Sequence, residues 1–431
     1  AYNSGTVSLI NSTMTGCSAG NGGGVVAASE SGAVSIIGST VASCSAGEGG
    51  GVVFIYPHGG AVSIINSTLT GCSAHVRLLL ALQPGVRDKE RHGCPRSLLA
   101  LSSQPQGGGG VVNADGSGAI SIISSSVTGC SAGDQGGGVV AASFSGAISI
   151  ISSTVTGCSA GDGWGGGVVF ADGDVEIIDS AVIGCSAASG GGVVFADGSG
   201  AVSIIGSNVT SCSAGVDGGV VYAYDSNLIV TDSTISSCNA ERGGAVYVES
   251  GSASLARSTI SGCNATRGGA VYVESGSASL ARSTISNSIA LEAGGGLYSA
   301  GGRTSLSNGA LISGCTAPEG QGSSIFLLAG EVSYALPAPP GRWLPNARCE
   351  VYREACSYPV QDAANQEACL KHRGDCALTE SDAIEPSSGQ KQEACRRHSE
   401  PEKQAACLVT VADSWFCQNR TLVQPCNWDR R

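Results

Sequence analysis

The chain has 431 residues, among them 66 glycines, 19 cysteines and 13 prolines, and only 5% of it is aromatic and 13% charged. A hydrophobic share of 42% with a net charge of −12 excludes a disordered chain, and the acidic balance argues against nucleic acid as a partner, which needs a basic face. No apolar run approaches the roughly 18 residues of a membrane helix, so no membrane span is expected within the sequence, and the cysteine count points to an oxidising compartment.

The first predicted block, residues 1–74, opens on AYNSGTVSLINST, which reads as the middle of a repeat and suggests a piece of a longer protein. Four landmarks then recur in order. SGAVSII or SGAISII comes first, as at Ser31, Ser117 and Ser145, followed by ST[VLMI][TS]. Next comes [GS]-C-[SNT]-A, with its cysteine at Cys17, Cys44, Cys72, Cys130, Cys158, Cys185, Cys212, Cys238, Cys263 and Cys315; Ser288 holds the slot between the last two. A GG[GA]V run closes the period. Successive spacings are 25 to 28 residues, apart from one of 58. Each period holds three short runs of strand-forming residues separated by Gly, Ser, Asp or Asn, which read as strands. One such coil cannot bury its own apolar side, whereas stacked coils can. The expected fold is therefore all-β, a parallel β-helix of three strands per coil and about eleven or twelve coils. A β-propeller blade would need a longer period of roughly 40 residues.

Residues 75–106 interrupt the repeat with an Arg- and Leu-rich excursion that holds Cys94. Removing it restores an ordinary period, so it reads as a loop leaving one turn or as a gene-model artefact. Coils resume over 107–336 and include GGAVYVESGSASLARSTIS, present at Gly243–Ser261 and again, letter for letter, at Gly268–Ser286. PAPPG then ends strand pairing. The tail, 337–431, carries Cys349, Cys356, Cys369, Cys376, Cys395, Cys407, Cys417 and Cys426. An even count of this density predicts a small disulfide-rich domain without specifying its pairing.

The joint CNATRGGAVYV is similar to the junction of the two short motifs in polymorphic outer-membrane protein repeats, with Cys263 where that family has Asn. More broadly the repeat resembles the pectin lyase-like right-handed parallel β-helix superfamily. The resemblance covers about residues 1–74 and 107–335. It implies the fold; the superfamily includes lyases, hydrolases, adhesins and passive surface proteins, so it does not select an activity.

In a parallel stack equivalent residues lie over one another. The repeat cysteines then form an interior ladder of small apolar thiols, a better account than a zinc array, which needs ligands converging tetrahedrally. Asp172 and Asp197 occupy one ADG turn in adjacent coils and are candidate Ca²⁺ ligands, or simply turn residues. Glu249, Glu274, Arg257 and Arg282 stack in the twin coils with Arg242 and Arg267 nearby, either as a saccharide-binding strip or as a self-compensating solvated patch. Phe54, Phe170, Phe195, Tyr222, Tyr247, Tyr272 and Tyr298 share one slot, a sugar-stacking strip if outward and a core or half-buried stack if inward, the latter being favoured. Thr13-Met-Thr15, Thr68-Leu-Thr70 and Thr154-Val-Thr156 turn hydroxyls outward, a pattern found in ice-binding solenoids. The coils contain no Lys, and the only His is His58 in YPHGGA; no titratable pair suited to acid–base catalysis stands out. No cofactor or catalytic residue is expected. The expectation is a non-enzymatic extracellular or cell-surface β-helix for display or adhesion, with polysaccharide or another surface protein as partner. Sequons at Asn11, Asn66, Asn208, Asn264 and Asn419 fit that location. A carbohydrate-binding or carbohydrate-active β-helix and an ice-binding solenoid are the rival readings.

Overall fold

A computed structural model describes residues 5–30, 32–56, 59–74, 108–133, 136–161, 163–198, 200–329 and 331–335, and the strand Leu422–Val423. The chain is a parallel β-solenoid of about eleven coils, and the described residues contain no helix. It divides into two compact units, Ala1–Val202 with Cys212–Val216, and Ser203–Ser211 with Asp217–Arg431.

Unit 1 shows why the repeat folds this way. Its SII strands, such as Val34–Ile37, Val62–Ile65 and Ile120–Ile123, pair in parallel with each residue opposite its repeat equivalent. Val34, Ile36, Val62 and Ile64 are fully buried, while Ser35, Ile37, Ser63 and Ile65 are half-buried on the other face. That is the two-residue alternation of a strand with one face in the core. The Thr strands follow, among them Thr40–Ala42, Thr68–Thr70 and Ser126–Thr128, with Val41, Leu69 and Val127 inward. The Val strands, such as Val53–Ile55, Val112–Asp115 and Val140–Ser143, form a third ladder. To these three expected strands the structure adds a fourth. In the coils on either side of residues 75–106 it is the two-residue Ser73–Ala74 and Ser131–Ala132.

Two left-handed corners bend each coil. The first follows the SII strand, at Asn11, Gly38, Asn66, Ser124, Ser152 and Asp179, with φ between 48° and 60°. The second precedes the cysteine, at Gly16, Ser43, Gly71, Gly129, Gly157 and Gly184. Glycine occupies most of the second set because an L side chain resists this region, and Asn, Asp and Ser offset part of the cost locally.

A buried serine follows the first corner in every coil of the unit after the first, where Ser12 is half-buried: Ser39, Ser67, Ser125, Ser153 and Ser180. Each accepts the backbone N–H of the serine one coil earlier, as in Ser67 N to Ser125 Oγ and Ser125 N to Ser153 Oγ, both 3.1 Å. Each also donates its hydroxyl to the carbonyl two residues back, as Ser153 does to Ile151 at 2.8 Å. The column thereby satisfies polar backbone that the turn would otherwise bury unpaired.

Unit 2 uses the same plan with longer first strands, such as Ser226–Thr231, Gly251–Ala256 and Ser277–Ala281. The twin segments pair residue for residue, Val246↔Val271, Leu255↔Leu280 and Ile260↔Ile285. Its serine column runs through Ser207, Ser233, Ser258 and Ser283. Leu422–Val423 adds antiparallel to Ser333 and Tyr334.

Residues 75–106 are inserted between the Ser-Ala strand and the Val strand of one coil. Leu69 still pairs with Val127, and Val53 with Val112, so the ladders on either side keep their register.

Candidate functional site

The densest array of charged and aromatic side chains among the described residues lies in unit 2. It is built on the strands Val221–Tyr224, Val246–Val248, Val271–Val273 and Leu297–Ser299 and on the GG corners before them. Val246 and Val248 take the inward positions, which puts Tyr247 on the opposite side of its strand. Yet Tyr222, Tyr247, Tyr272 and Tyr298 are all buried, because their rings shield one another. Successive centroids are 5.2, 5.2 and 4.7 Å apart with nearly parallel planes, and Phe326 continues the stack at 5.2 Å. This is the buried alternative of the two aromatic readings, with no ring face open to a sugar along this column.

In three of these four coils the slot before the GG corner carries charge. Asp217, Arg242 and Arg267 follow one another there, bridged strand to strand. Arg242 and Arg267 are like charges in adjacent coils, and they diverge. Arg242 grips Asp217 with two hydrogen bonds, Nε to Oδ1 at 2.7 Å and Nη2 to Oδ2 at 2.9 Å, whereas Arg267 reaches Glu292 at 2.6 Å. The Asp217 side chain is completely buried and that of Arg242 is 32% exposed. The Arg242 guanidinium lies 4.7 Å from the centre of the Tyr247 ring and 5.9 Å from that of Tyr272, within cation–π range. Its Nη1 is 3.5 Å from Glu274.

Glu274 also accepts the hydroxyl of Tyr247, and Glu249 accepts that of Tyr222. Burial lifts the Asp217 carboxyl to about 6 against the pull of Arg242, and the negative charges of Glu249 and Glu274 add to the rise. Burial opposes charge on Arg242 too, but its bonds to Asp217 prevail and raise it further. Burial, reinforced by Glu249 and Glu274 respectively, pushes the hydroxyls of Tyr222 and Tyr247 well above the usual phenol range.

The six residues grouped by sequence thus separate. Glu249, Glu274, Arg242 and Arg267 belong to this array. Arg257 and Arg282 sit instead at the left-handed corner after the first strand, with φ of 51° and 54°. Arg257 there pairs with Asp232 at 2.7 and 2.8 Å. Asp217 was not singled out by sequence, although its place before GG, one period ahead of Arg242, marks it.

No family model matches the chain, and neither a curated protein nor a solved structure matches it.

The remaining candidates lie elsewhere. Asp172 accepts the backbone N–H of Phe144 through both oxygens, at 3.0 and 2.9 Å, and so ties a corner of the preceding coil. Asp197 is exposed at the equivalent turn of the next coil. Cys44, Cys72, Cys130, Cys158, Cys185 and Cys212 in unit 1 and Cys238, Cys263 and Cys315 in unit 2 are buried and Cys17 is half-buried, and none of the ten is joined in a disulfide. The thiol of Cys44 is 3.5 Å from the Ala42 carbonyl and that of Cys158 is 3.6 Å from Thr156, the same carbonyl two residues back in each case. Burial pushes Cys44 up to about 11, far from a reactive thiolate. Among the described residues no three His, Cys, Asp or Glu side chains converge to hold a metal.

The Thr strands do turn Thr68 and Thr70 outward, but Ala42 and Ile183 stand in the register of Thr70 and Thr156 and break the hydroxyl columns. The tail cysteines Cys349 to Cys426, as well as Cys94, His58 and Asn419, lie outside the described residues.

Proposed function

We propose that the chain is a non-enzymatic extracellular or cell-surface β-helix that serves structural display or adhesion. The observation that carries this reading is the internal pairing of its charged groups. Arg242 is spent on Asp217, Arg267 on Glu292 and Arg257 on Asp232, while Glu249 and Glu274 hold tyrosine hydroxyls. A catalytic acid or base needs a proton it can exchange with a substrate; these groups are held instead in ion pairs and hydrogen bonds with one another. The resemblance of the repeat to polymorphic outer-membrane protein repeats, and to the pectin lyase-like superfamily at large, supports a surface location. Surface labelling of intact cells of the source organism tests it: the protein is expected in the labelled fraction, and purely internal protein overturns the proposal. Incubation with polygalacturonate and alginate, with and without Ca²⁺, is expected to give no product; turnover lost in Arg242→Ala or Arg257→Ala would establish an enzyme instead.

A carbohydrate-binding reading has one observation in its favour. Trp164 in unit 1 is 47% exposed and braced against Phe195, with ring centres 5.9 Å apart. An exposed, supported indole is a platform for the apolar face of a sugar. Oligosaccharide titration followed by tryptophan fluorescence, with Trp164→Ala as control, separates this reading from passive display.

A further inference from the structure

We propose that the charged corner of unit 2 is an acid-triggered side-chain switch, in which protonation of Asp217 transfers the Arg242 guanidinium from Asp217 to Glu274. The geometry provides two stations for one cation. At the first, Asp217 takes two charge-assisted hydrogen bonds at 2.7 and 2.9 Å, the strong bidentate arrangement of an arginine and a carboxylate. At the second, Glu274 already stands 3.5 Å from Nη1 and is 43% exposed. The Tyr247 ring supports the guanidinium beside both, so the side chain can pivot without leaving its aromatic bed.

The asymmetry between the stations decides which one acid empties. Asp217 has no exposed surface, so water cannot stabilise its charge, and the groups facing it are Arg242, Glu249, Glu274, Tyr222 and Tyr247. Two of these are carboxylates that disfavour a further negative charge, and only Arg242 favours it. A proton from solvent ends on an Asp217 oxygen. The neutral acid no longer offers the paired charges that held the fork. Glu274 is then the nearest carboxylate that Arg242 already touches. Arg267 does not compete for it, because Glu292 holds that side chain at 2.6 Å. The Asp217 carboxyl titrates at about 6, inside the range of mildly acidic surroundings.

The test is an arginine Nε–H nuclear magnetic resonance titration of the full chain between about pH 4 and pH 8. The Arg242 signal is expected to move between two positions with a midpoint near 6. Asp217→Asn, a neutral isostere, is expected to hold the signal at the acid position throughout. Glu274→Gln is expected to keep the neutral position and lose the acid one. A signal that does not move in the wild type, or that moves with the same midpoint in Asp217→Asn, overturns the switch. An unchanged acid position in Glu274→Gln overturns Glu274 as the acceptor. Should Asp217→Asn fail to fold, the wild-type and Glu274→Gln titrations still decide.

Discussion

Ser153 shows how much depends on one small polar group. Its hydroxyl accepts the Ser125 N–H at 3.1 Å and donates to the Ile151 carbonyl. Ser153→Ala leaves a buried N–H without a partner, and the expected loss is about 1–3 kcal/mol by chemical denaturation. Asp217 has the opposite economy. Its folded carboxyl titrates at about 6 rather than at the ordinary 3.8, so the folded state holds the proton more tightly. The stability this group contributes is fully present below its unfolded value and is lost as pH rises through about 6. Asp217→Asn should therefore flatten the pH profile of unit 2 over that window, as read by thermal melts. At this scale the sequence was partly legible. Glu274 and Arg242 were visible as stacked charges, but their partners were not. Asp217 reads as an ordinary turn residue unless the period is used to set it against Arg242, and Arg257 and Arg242 fall into one charged group until the structure puts them at different corners.

A single coil is legible almost throughout, because alternation and turn chemistry point the same way. The Ser-Ala strand is the exception: two residues are too short to show a period, and only the neighbouring coils make them a strand. Glycines within a coil have two different roles. Gly129 has a φ of 61° and open space where a Cβ would go, so only its backbone resists substitution. In Gly138 a Cβ would lie 2.1 Å from the Gly167 carbonyl oxygen and 2.8 Å from Ser159 backbone atoms one coil on. Gly129→Ala is expected to cost about 1 kcal/mol, whereas Gly138→Ala should cost more than about 3 kcal/mol because two backbones must separate. Denaturant melts of the two variants distinguish strain within a coil from a clash between coils.

Taken whole, the chain combines acidity, scarce aromatics and many cysteines. The repeat spacing predicts an interior ladder of thiols rather than disulfides, and none of the ten described cysteines is joined in a disulfide, nine of them being buried. Parallel in-register side chains keep their sulfurs about one strand spacing apart, far beyond a disulfide bond. Alkylation with mass mapping should leave Cys44, Cys72, Cys158 and Cys263 unmodified in the native protein and modify them all in denaturant. Modification of these four at the native stage would mean that the coils open readily. Composition could not separate a thiol ladder from a disulfide framework, because that distinction lies in which way the side chains point.

The twin segments in unit 2 have one more consequence. Val246–Val248 pairs with Val271–Val273, and Arg242 meets Gly243 in the same way that Arg267 meets Gly268. Excising Gly243–Arg267 from the gene would join Arg242 directly to Gly268, recreating the same junction, and would set Tyr272 over Tyr222 where Tyr247 had been. Recombination between the two copies thus adds or removes a complete coil in frame, at a boundary where the fold already has a matching surface. In heredity, as in folding, the coil is the unit that is counted, and related genes should differ by whole coils rather than by fractions of one.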